Sequence, residues 1–348
     1  MASAPPQPPE SIILGSFSGI KNTVSSERLK TDELERAINV DIDDGGQVRR
    51  RRGYLRKLTG NCHSLKKMGD ITIMVRDGVL GTVTTGPIHT PLVSVGQRRV
   101  AAVRVVDTIY FSSEGTTGKI IDNQVLPWGS VDGNGIWVSP VIRPTETLGA
   151  IRGKKLVAPP NATDLEAYHG RIYMAAGPVL WVTELYLYDL IDKTRNFITF
   201  ESDITMLAAV DDGIYVGTTE NLYFLGGNFS TGLKRSIVMG VGVLPGSAVV
   251  VPYVKVDPRA RGGQPVPEGQ GPVFMTNAGI CVGFPGGTAF NLTQDRAIFP
   301  RGLDAAALYR EDQGANSYVA VVNSAGGPSA NARIGDYVDA EVIRASQQ

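Results

Sequence analysis

The sequence predicts an all-β protein: a β-propeller of roughly six blades, preceded by an extended N-terminal arm that carries its own β-hairpin. Three observations predict it. Glycine is abundant, 41 of 348 residues, and comes with many Val, Ile and Tyr, a mixture that favours short strands and tight turns over helices. One unit recurs: a turn residue, Ile-Tyr or a relative of it, a strand, a second turn and a second strand. It starts at Gly69, Val106, His169, Asp211 and Gly271, as in "GDITIMVRDGVLGTV" and "DDGIYVGTTENLYFLGG". The starts are spaced at about 40 or about 60 residues, and repeats of about 40–50 residues with up to four strands are the mark of propeller blades. One blade cannot bury both of its faces; a ring of stacked blades can, and it leaves no long exposed edges. Two β-sandwiches in tandem are the competing architecture.

The elements follow in chain order. Residues 1–12 include "MASAPPQPPE", which is Pro-rich and polar and is expected to be disordered. It lacks the basic and apolar regions of a signal peptide. Residues 13–60 form the arm and hairpin, and 61–348 the propeller body. Within the arm, "SSERLKTDELERAIN" offers Ser26 as an N-cap and Leu29, Leu34, Ala37 and Ile38 as a loose apolar stripe, enough for a turn or two of helix. In the body, "LYLYDLIDKTRNF" after Glu184 is a second helix candidate. Gly133–Pro160 has room for an extra hairpin, Pro258–Gly271 reads as a long loop, and "NSYVAVVNS" supplies a last strand.

Composition narrows the chemistry. Lys plus Arg equals Asp plus Glu, 34 each, whereas a protein that coats nucleic acid carries a basic excess. The three histidines, His63, His89 and His169, share no metal-ligand spacing, and Cys62 and Cys281 form no CxxC. Both thiols are expected to be free and buried. "RGKKL" lacks the Ser or Thr and the upstream glycine of a P-loop. "SVDGNGIW" (Ser130–Trp137) is one imperfect copy of an Asp-box turn. The adjacent acids Asp43-Asp44, Asp211-Asp212 and Glu311-Asp312 sit at expected turns, where Asp is favoured for backbone hydrogen bonding. No catalytic constellation, metal site or cofactor is expected, and no run approaches the ~18 apolar residues of a membrane span.

The residues that ask for a function are in "INVDIDDGGQVRRRRGYLRKL". Ile38, Val40 and Ile42 share one face of a strand, a turn follows, and Arg49, Arg50, Arg51 and Arg52 occupy the return strand. Neighbouring strand residues point to opposite faces, so neither face of this segment can be a dry core. Asp41, Asp43 and Asp44 are the local charge partners. Against them stand Arg49, Arg50, Arg51, Arg52, Arg56 and Lys57, and the surplus must face water, a second subunit or a polyanion.

The stretch Phe17–Leu58 resembles the opening of tailed-phage tail proteins, the nozzle (tail tubular B-like) and packaged-DNA stabilisation proteins of short-tailed phages. The shared elements fall on Phe17, Gly19, Leu34, Ala37, Asn39, Gly46, Arg50, Arg52, Gly53 and Tyr54. "ITMLAAVDDGIYVGTTENLYFLGG" (Ile204–Gly227) is similar to the same family's propeller, as is "VLWVTELYLYD" before it. The resemblance implies a non-enzymatic virion protein of the tail, made in the host cytoplasm. It implies copies in a six-fold ring around the DNA channel, beside other tail or adaptor proteins. The Arg49–Arg52 run then reads as a subunit contact first, and as a weak contact with genomic DNA second. The alternative is a host-recognition or glycan-binding propeller, and after it a glycan-hydrolysing one.

Overall fold

In a computed structural model of the chain, the described residues are 16–38, 40–42, 46–51, 55–129, 156–256, 265, 267–294, 296–299, 302–312, 315–324 and 339–344. The Asp-box-like turn and most of Gly133–Pro160 and Pro258–Gly271 lie outside them.

Five four-stranded antiparallel meanders follow one another along the chain. The first comprises Cys62–Met68, Ile71–Arg76, Val79–Val83 and His89–Ser94. The second comprises Ala101–Val105, Thr108–Ser112, Thr117–Ile121 and Gln124–Pro127. The third comprises Asp164–Tyr168, Arg171–Ala176, Val179–Val182 and Phe197–Thr199, and the fourth Ile204–Val210, Gly213–Thr218, Leu222–Asn228 and Gly232–Met239. The fifth comprises Val249–Pro252, Gln270–Thr276, Gly279–Phe284 and Thr288–Asn291. Among the described residues a sixth sheet has three strands, Gly302–Asp312, Ala315–Ser324 and Asp339–Arg344. The first strands of consecutive sheets lie side by side at four of the five junctions, and at the other the first strand of the fourth sheet lies against the second strand of the fifth, so the first strands are the innermost. The chain is a β-propeller, and each recurrent hairpin of the sequence is the second and third strand of a blade.

The turn chemistry explains the hairpins. Asp77-Gly78, Asp122-Asn123 and His169-Gly170 hold both central residues at positive φ, between 46° and 81°. That is the type I′ geometry whose twist matches two antiparallel strands. The middle strands carry no polar alternation because both of their faces are covered. In Gly213–Thr218, Ile214 and Val216 pack toward the third sheet, while Tyr215 packs toward the fifth. Five apolar clusters thus form, one between each pair of consecutive sheets. Close approach needs glycine at Gly271, where a Cβ would collide with the Tyr253 hydroxyl.

The helix expectations are corrected. The described residues of Ser25–Asn39 contain a single 3-10 turn, Ser26–Arg28, with Ser25 in the cap position in place of Ser26. Leu34, offered for a helical stripe, instead joins Glu33 in a short parallel pairing with Gly19–Ile20. After Glu184 the chain makes turns and the two-residue strand Ile191–Asp192, paired with Leu156–Val157. Asp192 Oδ1 accepts bonds from the Thr194 backbone and hydroxyl at 3.0 and 2.7 Å, a local turn that competes with helix. Cys281 is buried as expected, whereas Cys62 is exposed at the start of the first sheet.

Candidate functional site

The arm folds along the sixth sheet. Its entry is pinned where Phe17 N–H donates to Gly46 O at 2.8 Å and Ser18 N–H to Asp32 O at 2.7 Å. Asn22 and Ile298 exchange a pair of bonds, Asn22 Nδ2 to Ile298 O at 3.2 Å and Ile298 N–H to Asn22 Oδ1 at 2.7 Å. Arg296 donates to Ser18 O at 2.7 Å. These contacts hold the arm beside the start of the sixth sheet.

The arginine hairpin sits at the far end of the same strand. Val40–Ile42 pairs antiparallel with Val48–Arg50, placing Asp41 opposite Arg49 and Val40 opposite Arg50. Arg51 is tucked in, its side chain 8% exposed and its Nε 3.3 Å from Asp41 Oδ1. Asp41 Oδ2 lies 3.5 Å from the Arg310 guanidinium of the sixth sheet. Asp41 therefore bridges the arm to the propeller. Arg49 and Arg50 are exposed, as are Arg56 and Lys57. Arg56 Nε donates to Leu58 O at 3.0 Å. Among the described residues, Arg50, Arg56 and Lys57 have no carboxylate partner. Arg52, Asp43 and Asp44 lie outside the described residues.

A second charged cluster, unread in the sequence, lies on the innermost strands. Asp164 and Glu166 are two apart in one strand and share a face. Asp164 Oδ2 accepts Leu207 N–H of the fourth sheet at 2.8 Å. Lys66 of the first sheet donates to Ala102 O at 2.6 Å and draws both carboxyls' pKa downward from nearby. Burial outweighs it. Asp164 is raised above the usual carboxylate range, and Glu166 is pushed up to about 7 by burial, with the neighbouring Asp164 charge adding to it. Both are half-buried on an innermost strand. "DLEAY" reads as a solvated alternating strand, so only the ring closing around it reveals the pair.

Arg99, in the link between the first and second sheets, reaches across to two distant sheets. It donates to Ala305 O of the sixth sheet at 2.7 Å. Its guanidinium packs on Gly246, in the link between the fourth and fifth sheets. His63 stands beside it, its pKa lowered by burial and then by the Arg99 charge. Among the described residues no group of three His, Cys, Asp or Glu side chains is placed to hold a metal ion. None of their helices is long and apolar enough to cross a membrane.

No protein-family model and no curated protein matches the sequence. Solved structures that are similar include the extracellular domain of the putative hybrid two component system BT4673 from B. thetaiotaomicron. It is 10% identical at a TM-score of 0.43, over 78% of this chain and 34% of that one, so this chain spans about a third of its length. The WD40 beta propeller domain of Doa1 is 9% identical at 0.39, over 73% and 72% of the two chains. The Neurospora crassa Pan2 WD40 domain is 10% identical at 0.38, over 74% and 71%. Resemblance at this level carries no functional information.

Proposed function

We propose that the chain is a structural subunit of a short-tailed phage tail, packing as copies of itself around the passage for genomic DNA. The observation that carries the reading is the arm. A strand of arginines is anchored to the body through Asp41 and Arg310, which leaves Arg50, Arg56 and Lys57 facing outward. Ring subunits meet through heterologous patches, and an anchored basic hairpin of the kind that the resembled tail proteins open with suits such a contact. Arg99 reaches across the inner strands to the sixth sheet and to the link between the fourth and fifth. The passage for DNA would accordingly run between copies, with the propellers as rigid walls. Neutral net charge lets copies pack side by side.

Electron microscopy of the purified protein, with sedimentation at several concentrations, tests the reading. A closed ring is the expected result. A chain that stays monomeric at every concentration and never joins particles overturns it. Charge reversal at Arg50 separates the two roles of the hairpin. Failure to assemble assigns it to the subunit contact, and assembly with poor DNA retention assigns it to the passage.

A further inference from the structure

The arm presents more than charge. Leu55 is 80% exposed between the basic strand and Arg56-Lys57, and Val48 at the start of that strand is 40% exposed. The neighbouring face of the sixth sheet carries Leu308 and Val321, 52% and 56% exposed. The opposite face of that sheet buries Ala305, Tyr318 and Ala320 against the fifth. An exposed Leu55 followed directly by Arg56 and Lys57 suits a protein partner whose patch is apolar and acidic.

The same chain supplies that counterpart. Asp211 and Asp212 form the exposed turn between the first two strands of the fourth sheet. Gly269, next to the exposed Glu268, packs against the Asp211 carboxylate. Val254, in the same link of the fifth sheet as Glu268, is 64% exposed. Among the described residues none of these three acids has a cationic partner. Their charge is felt locally: after burial, Asp211 and Asp212 are the causes that raise the Tyr253 hydroxyl's pKa.

We propose that Arg50, Arg56 and Lys57 of one copy dock on Asp211, Asp212 and Glu268 of a second copy, with Leu55 against Val254 at the centre. The inference rests on the reading of the chain as an assembling subunit, and names the contact.

The test uses two double variants of the full chain, Arg50→Glu with Lys57→Glu, and Asp211→Lys with Glu268→Lys. Circular dichroism and melting first establish that each is folded. Each alone is expected to self-associate on the order of 100-fold more weakly than wild type, as loss of close interfacial charge pairs does. Mixed together, they are expected to co-assemble, because a reversed arm meets a reversed acidic patch. Wild-type assembly should weaken as salt rises. A wild type that never assembles overturns both the subunit reading and this contact. A wild type that assembles, with both variants assembling equally well, leaves the subunit reading standing and overturns the contact. Variants that dissociate and are not rescued by mixing also overturn it, since the residues would then not face each other.

Discussion

The five joints between consecutive blades and the seam beside the sixth sheet are built from different materials. Each joint is an apolar cluster with side chains contributed by both sheets. At the seam, where the last blade would meet the first, the described residues form no such cluster. Polar contacts tie the arm to the sixth sheet and the segment before it: Asp41 with Arg310, Asn22 with Ile298, and Arg296 with Ser18. An apolar joint depends on shape and is lost only with the fold. A polar seam depends on a few bonds and can open while the rest stands.

Four substitutions probe that contrast. Phe274→Ala, in the joint between the fourth and fifth sheets, should lower global stability by about 3–5 kcal/mol, read as a drop in the unfolding midpoint. Asp189→Ala tests a polar contact placed inside a joint. Lys119 Nζ lies 2.8 Å from Asp189 Oδ2, with side chains 1% and 5% exposed. Stranding that lysine should cost about 3–5 kcal/mol. Replacing both partners by apolar residues should recover most of the loss.

Glu166→Gln comes next, and its effect should depend on pH. The folded state holds Glu166 at about 7, above the ordinary 4.5, so folding favours the protonated acid. That advantage is complete below pH 4.5 and is lost as pH rises to 7. Glutamine cannot ionise. The variant should match wild type near pH 4 and exceed it by about 1–3 kcal/mol at pH 8, allowing for the group's partial contact with water. Equal stability at both values would show that the axial pair is fully solvated. Asp41→Asn removes the charge but keeps an oxygen for Arg51 and Arg310, and should have the smallest effect on global stability, about 1–2 kcal/mol. Protease cleavage within the arm should nevertheless quicken while the propeller stays intact. A large fall in the melting midpoint would mean that the seam is a sixth structural joint.

What the sequence disclosed follows from the range of the interactions. The hairpins were legible because their signals are local: paired turn residues such as Asp77-Gly78 and His169-Gly170, flanked by β-branched and aromatic runs. Asp41 as an arginine partner was legible because it lies just across one turn. The helix at Ser25–Asn39 was misread because Leu34 satisfies its apolar side chain and backbone by pairing with Ile20, a tertiary contact that propensity does not register. Lys119 and Asp189 are 70 residues apart, and Lys66 meets Asp164 and Glu166 only once the blades curl around. Arg51 and Arg50 are adjacent identical letters, yet one is buried on Asp41 and the other faces water. Strand alternation predicts opposite sides but not which side the body occupies.

The paired bonds between Asn22 and Ile298 join residues 276 apart. Closing so long a loop in a floppy chain is entropically costly, although each doubling of length adds only about 0.6 kcal/mol. Two wet hydrogen bonds are too weak to drive such a closure. They form because the stacked sheets have already curved the chain until its two regions meet. The clasp is therefore a gauge of curvature: any change that flattens or tightens the stack by a few degrees per blade accumulates around the turn and is felt first at Asn22.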